Sequence, residues 1–154
     1  MRAQRGFTYV AMLFALAIFG IGLAALGESW SAASRREREE ELIRIGTAYA
    51  RAIGEYHRRS PGARKAYPAR LEELVEDKRF VGTVRHLRRL YRDPVTNGAE
   101  WGLVRAADGG IMGVFSLSDK NALRTQPIVL PGAETATGAR YSDWKFVYKE
   151  RAPG

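Results

Sequence analysis

The residues with which this chain could do chemistry are few. His57 and His86 are its two histidines, cysteine is absent, and a close run of carboxylates sits at Glu72, Glu73, Glu76 and Asp77. Without cysteine there is no disulfide scaffold, no thiol nucleophile and no cysteine-containing zinc or iron–sulfur centre. Two histidines are too few for a histidine-rich metal site. No G-x-S-x-G elbow, P-loop or H-E-x-x-H occurs. Gly20-Ile21-Gly22-Leu23-Ala24-Ala25 copies the outline of a dinucleotide fingerprint, but no strand precedes it and it lies inside an apolar run. The carboxylates fall between the apolar positions of one short helix and read as its solvated face. The histidines read as surface or capping residues, and Trp101 and Trp144 as core aromatics. No catalytic site assembles, so the sequence is read as a non-enzyme without a cofactor.

Charge is the second chemical signal. The 154-residue chain carries a net charge of +8. Residues 57–92 hold eleven basic and four acidic groups, whereas the stretches on either side are nearly balanced. The concentration peaks at Arg85-His86-Leu87-Arg88-Arg89-Leu90-Tyr91-Arg92. Arg85, Arg88, Arg89 and Arg92 form a candidate partner-binding stripe, for nucleic acid or for acidic neighbouring subunits, with a plain solvated face as the other reading.

The elements that must carry these residues follow from hydropathy. Residues 6–27 carry no charge, and 7–26 read FTYVAMLFALAIFGIGLAAL. A helix of about 20 residues rises roughly 30 Å, the thickness of the hydrocarbon core of a bilayer. A secretory signal competes with this reading, with Arg2 and Arg5 as its basic end and Ala25-Leu26-Gly27 as its cleavage site. The apolar run, however, exceeds the roughly 7–15 residues such signals use. A retained transmembrane helix over 7–27 is therefore expected, behind a leader at 1–6. The N-terminus is placed in the cytoplasm because long C-terminal domains translocate largely regardless of charge. Helical signal continues through 28–57. Arg35–Glu39, Arg36–Glu40 and Glu40–Arg44 form i,i+4 pairs on a solvated face, and Leu42, Ile45, Tyr49, Ile53 and Tyr56 form an apolar ridge. Ser60-Pro61-Gly62 ends the helix. From 7 to 57 it would run about 75 Å.

Residues 58–154 read as a small globular domain. Leu71, Leu74 and Val75 predict a short helix after Tyr67-Pro68, and Val84, Leu87 and Tyr91 another. Asp93-Pro94…Asn97-Gly98 is a turn, Trp101, Leu103 and Val104 a strand, 107–110 a hairpin loop, and 111–118 its partner strand. Residues 119–141 read as a long loop. In 143–149 (DWKFVYK), alternating Trp144, Phe146 and Tyr148 mark a third strand. The expected class is α+β, with a small antiparallel sheet packed on the long helix.

The order of basic leader, Gly6, Phe7-Thr8 and unbroken apolar helix closely resembles the class III signal of type IV pilins and pseudopilins. The usual pattern G-F-T-L-x-E appears here as Gly6-Phe7-Thr8-Tyr9-Val10-Ala11. Tyr67-Pro68, Asp93-Pro94…Asn97-Gly98 and Phe115-Ser116-Leu117 look like the globular domain of the major pseudopilin of type II secretion. The resemblance implies cleavage between Gly6 and Phe7 by a prepilin peptidase and methylation of the Phe7 amine. It also implies assembly on an inner-membrane platform, with other pseudopilin subunits, into a periplasmic filament supporting protein secretion. Ala11/Ala15 and Gly20/Ala24, spaced four apart, would let helices approach closely in the filament core. Two departures stand out. Ala11 occupies the position of the family's glutamate, which implies a minor, tip-proximal subunit. Asp119-Lys120-Asn121 does not reproduce the late-loop calcium site, so no metal is expected. Two other readings remain open: a minor type IV pilin binding DNA or surfaces, and a membrane-anchored periplasmic binding module.

Overall fold

The computed structural model describes residues 5–98, 100–124, 126–129 and 136–148, with side chains at all of these except 5–7 and 21–30. The leader therefore lies largely outside the described residues. The chain divides into two units, Met1–Glu37 and Arg38–Gly154. A single helix, α1 (Arg5–Arg58), opens it. No proline interrupts α1, and its end is built from side chains. The Ser60 hydroxyl donates to the Tyr56 carbonyl (3.3 Å), and the Lys65 ammonium donates to the Arg58 carbonyl (2.7 Å). Gly62 then turns the chain at φ +82°.

The ridge expected at helical spacing is the core of the second unit. Leu42, Ile45, Tyr49, Ile53 and Tyr56 are each at most 4% exposed. Burying side chains of this size contributes roughly 1.5–3 kcal/mol each. Gly46 and Gly54 lie on the same side of the helix, and the rings of Phe146 and Tyr148 occupy the space where their Cβ atoms would be. Glycine costs a helix about 1 kcal/mol relative to alanine. Here it admits an aromatic ring to the helix backbone.

The sheet that delivers those rings has three antiparallel strands in the order β1-β2-β3: β1 Gly102–Arg105, β2 Ile111–Phe115 and β3 Phe146–Val147. Leu103 opposes Val114, and Val114 opposes Phe146, so Val114 sits at the centre of the sheet, fully buried. Gly109 (φ +83°) closes the β1–β2 hairpin, with the Ala106 amide donating to the Gly110 carbonyl (2.8 Å). The expected α+β arrangement of a long helix on a small antiparallel sheet is the one observed.

Several local expectations are corrected. The second strand stops at Phe115 rather than Ser118, because the Ser116 hydroxyl turns to donate to the buried Asp93 carboxylate (2.6 Å). That carboxylate also accepts the Val95 amide (2.8 Å) and shapes the expected 93–98 turn, in which Asn97 adopts φ +57°. The helix expected from Val84, Leu87 and Tyr91 does not form. Val84 bridges Asp77, and the amides of His86 and Leu87 both donate to the Leu74 carbonyl (2.9 and 2.8 Å), leaving an irregular strap. The helix expected near Leu71 is a single 3-10 turn, Leu71–Leu74. Within the 119–141 loop, Asn121 bridges Arg140 and Ile128 bridges Ala136.

Glu39 does not join the solvated charge run. It is 3% exposed, and its Oε2 accepts the Leu123 amide (2.7 Å) and the Tyr141 hydroxyl (2.9 Å), with Arg124 Nε at 3.6 Å from Oε1. A buried carboxylate must find such donors, and this one ties α1 to the late loop. Arg44, expected to pair with Glu40, is bound instead by Glu41.

Gly46→Ala tests the ring seat. In an open helix the change stabilises by up to about 1 kcal/mol. Here the methyl meets the Phe146 ring, and the expected result is a loss of roughly 1–3 kcal/mol. It is read as a lower urea midpoint for tryptophan fluorescence of the detergent-solubilised full chain; a raised midpoint would show that the ring has room to move away.

Candidate functional site

The first unit contributes a surface rather than a cavity. From Tyr9 to Phe19 every large apolar side chain is at least 49% exposed. An apolar surface of this kind on a helix marks contact with lipid or with another protein. Ala11 and Ala15 are exposed, and the space where Gly20 would carry a Cβ is empty to 4 Å. Gly6 and Phe7 lie in the first turn of α1, while the side chains of Phe7 and Ala24 lie outside the described residues. Among the described residues no helix is long and apolar enough to cross a membrane. The crossing expected at 7–27 runs into residues 21–30, whose side chains are likewise outside them.

One cluster of titratable groups in the second unit lies where α1 ends. Asp77 is 1% exposed, which corrects its assignment to a solvated face. Its carboxylate receives Arg79 through Nε (2.8 Å) and Nη2 (2.7 Å) and stands 2.9 Å from His86 Nε2. Arg79 also donates to the Tyr56 carbonyl (2.9 Å) and the Ser60 hydroxyl (2.9 Å), and its guanidinium lies 3.4 Å from the Tyr56 ring centroid. The group is a clip on the helix C-terminus, where a cation also meets the negative end of the helix dipole. Burial acts to raise the Asp77 pKa, but the hydrogen bonds from Arg79 and His86 outweigh it and hold the carboxyl at about 2. Burial, with the hydrogen bond it donates to Glu73 (2.6 Å), pushes the Tyr56 hydroxyl well above the ordinary tyrosine range.

Beside the clip lies a groove of about 640 Å³ lined by both signs of charge, Arg70, Lys78 and Arg79 against Glu72, Glu73 and Glu76. The Asp77–His86 pair is not open to it through the imidazole. The His86 side chain is fully buried, and its Nδ1 has no hydrogen-bond partner among the described residues. A general base needs reach to a substrate proton, and this imidazole is enclosed.

Residues 1–27 match the prokaryotic N-terminal methylation motif. The chain carries a class III prepilin signal. The signal supports a type IV pilin-like or pseudopilin protein that is membrane-anchored, processed by prepilin peptidase and assembled with other pilin subunits. No curated protein and no solved structure matches the chain.

The sequence-predicted residues do not converge on one place. The prepilin signal belongs to the first unit; Arg85, Arg88, Arg89 and Arg92 are exposed on the strap of the second. His57 lies in the last turn of α1 and is half-buried, its ring stacked on Tyr67 at 4.3 Å. Asp119 accepts the Ser142 hydroxyl (3.3 Å), and among the described residues no cluster of three metal-binding side chains forms. Glu39 and the Asp77–Arg79–His86 clip escape sequence reasoning because their partners lie on other elements. The D-x-R spacing of Asp77 and Arg79 is the one local hint.

The clip has a pH signature. A carboxyl whose folded pKa is depressed stabilises the fold above its unfolded pKa, and that contribution is lost as pH falls through the folded value. For Asp77 the window runs from its ordinary value of 3.8 down to about 2, over which roughly 2 kcal/mol disappears. Asp77→Asn is expected to lower stability at pH 7 and to flatten the acid limb of the unfolding curve over that window. An acid limb unchanged by Asp77→Asn would remove the clip from the account.

Proposed function

We propose that the chain is a structural pseudopilin subunit of a type II secretion or related type IV pilus-like filament, and not an enzyme. One observation carries this reading: the methylation motif at 1–27 runs into a helix, described from Arg5, whose apolar side chains from Tyr9 to Phe19 are exposed. A surface of that kind suits a subunit stored in lipid and later stacked helix against helix. Residues 7–27 would hold it in the inner membrane, with the N-terminus cytoplasmic and the globular unit periplasmic. Peptidase cleavage between Gly6 and Phe7 removes Arg2 and Arg5, the charges that would resist withdrawal of the helix from the bilayer. Glycine at the scissile position leaves the backbone unobstructed. Ala11/Ala15 and Gly20/Ala24 offer the close approach that packing helices need where lipid supplies no hydrophobic drive.

Ala11 sets the subunit's place. A buried carboxylate there would require a partner amine and so fix register between neighbours. A methyl requires none. A subunit that cannot dock upward through that charge, yet presents its own Phe7 amine to the next, is suited to a low-copy, tip-proximal position.

Mass spectrometry of the membrane-extracted protein is expected to find a chain beginning at methylated Phe7; one beginning at Met1 or Glu28 would sink the proposal. Gly6→Val should accumulate as uncut precursor, because the branched side chain blocks access to the peptide bond. For the tip assignment, counting this chain in purified filaments should give few copies per filament, rising in Ala11→Glu. Uniform labelling of unmutated filaments would contradict it.

A further inference from the structure

The strap from Val84 to Asp93 is held to α1 by its backbone and by few side chains. The Tyr91 amide donates to the Tyr49 hydroxyl (2.9 Å), which donates back to the Tyr91 carbonyl (3.2 Å), and Trp101 Nε1 donates to the same carbonyl (2.8 Å). Leu87 is buried. These anchors leave Arg85, Arg88, Arg89 and Arg92 exposed, and among the described residues none of the four is paired with a carboxylate. The carboxylate on the adjoining helix face, Glu41, is already held by both arms of Arg44. Between Arg89 and Arg92 a cleft of about 360 Å³ opens over Ile45, Leu90, Tyr91 and Pro94, with Leu90 41% exposed.

We propose that this strap and cleft bind an acidic segment of a different protein, its carboxylates on the arginine row and one apolar side chain in the cleft beside Leu90. Guanidinium groups match carboxylates through two parallel hydrogen bonds, and arginine is the cation suited to partly desolvated contacts. Nucleic acid fits less well. The strap's aromatic ring, Tyr91, is T-shaped against Tyr49 and has Arg89 over one face, so it is not a free stacking platform for successive bases. A second copy fits poorly as well: the chain carries +8, and its exposed Glu37 and Glu40 are interleaved with exposed Arg35, Arg36 and Arg38. The inference does not depend on the filament assignment.

The test uses the detergent-solubilised full chain and fluorescence anisotropy with three labelled probes. These are a glutamate-rich peptide with one central leucine, the same peptide with alanine there, and oligothymidylate of equal charge. The leucine peptide should bind tightest, and replacing Arg85, Arg88, Arg89 and Arg92 together by serine should weaken it about tenfold or more with an unchanged melting temperature. Lysine at the same four positions should recover only part of that loss, and Leu90→Ser should abolish the preference for leucine over alanine. Four outcomes would overturn the proposal: equal or tighter binding of oligothymidylate, full recovery by lysine, no effect of the serine changes, or salt-sensitive self-association that depends on the four arginines.

Discussion

The seating of two aromatic rings on the bare backbone of α1 governs the globular unit. Gly46 and Gly54 leave gaps in an otherwise bulky ridge, and Phe146 and Tyr148 fill them. Because β3 must approach that closely, β2 must follow, and Gly113 makes room there: the Phe146 carbonyl lies 2.6 Å from where its Cβ would be. Gly102 on β1 repeats the device under the Phe115 ring. A sheet of three short strands has little area to offer a helix. Close approach is how this one packs a dense interior around Val114 and Trp144, both at most 1% exposed.

A buried carboxylate and a half-buried guanidinium bracket the ridge. Glu39 sits before Leu42 and collects donors from Leu123 and Tyr141; Arg79 follows Tyr56 and holds its carbonyl while paired to Asp77. Neither arrangement is a strong source of net stability, since desolvating an ion offsets much of what its partners return. Each makes the wrong docking expensive, because a helix slipped by one turn would leave a carboxylate or guanidinium buried and unanswered. Packing sets how firmly the sheet holds, and the charges set where it holds.

What could be read from sequence follows the range of the forces involved. The ridge at Leu42, Ile45, Tyr49, Ile53 and Tyr56 was legible because a 3.6-residue period expresses itself within one element, and the prepilin signal because it is contiguous. Trp144, Phe146 and Tyr148 showed a strand by alternation, although only Phe146–Val147 finds ladder partners. Glu39 was indistinguishable from Glu37 or Glu40, since its burial is decided by Tyr141, which is 102 residues away. The strap was misread for a related reason. Val84, Leu87 and Tyr91 have helical spacing, but the Leu74 carbonyl captures two of the amides a helix would need.

The order of α1 and β3 along the chain has a consequence for how the molecule comes into being. A ribosome or a translocation channel delivers α1 first, with its ridge and two empty glycine seats, and Phe146 a hundred residues later. Until Phe146 and Tyr148 arrive the two glycine seats stay empty, and until Leu123 and Tyr141 emerge Glu39 has no donor to answer it. The helix waits for its lid. The core of the unit is thus completed by a short segment that emerges late, and a chain halted before Phe146 keeps both glycine seats of α1 unfilled.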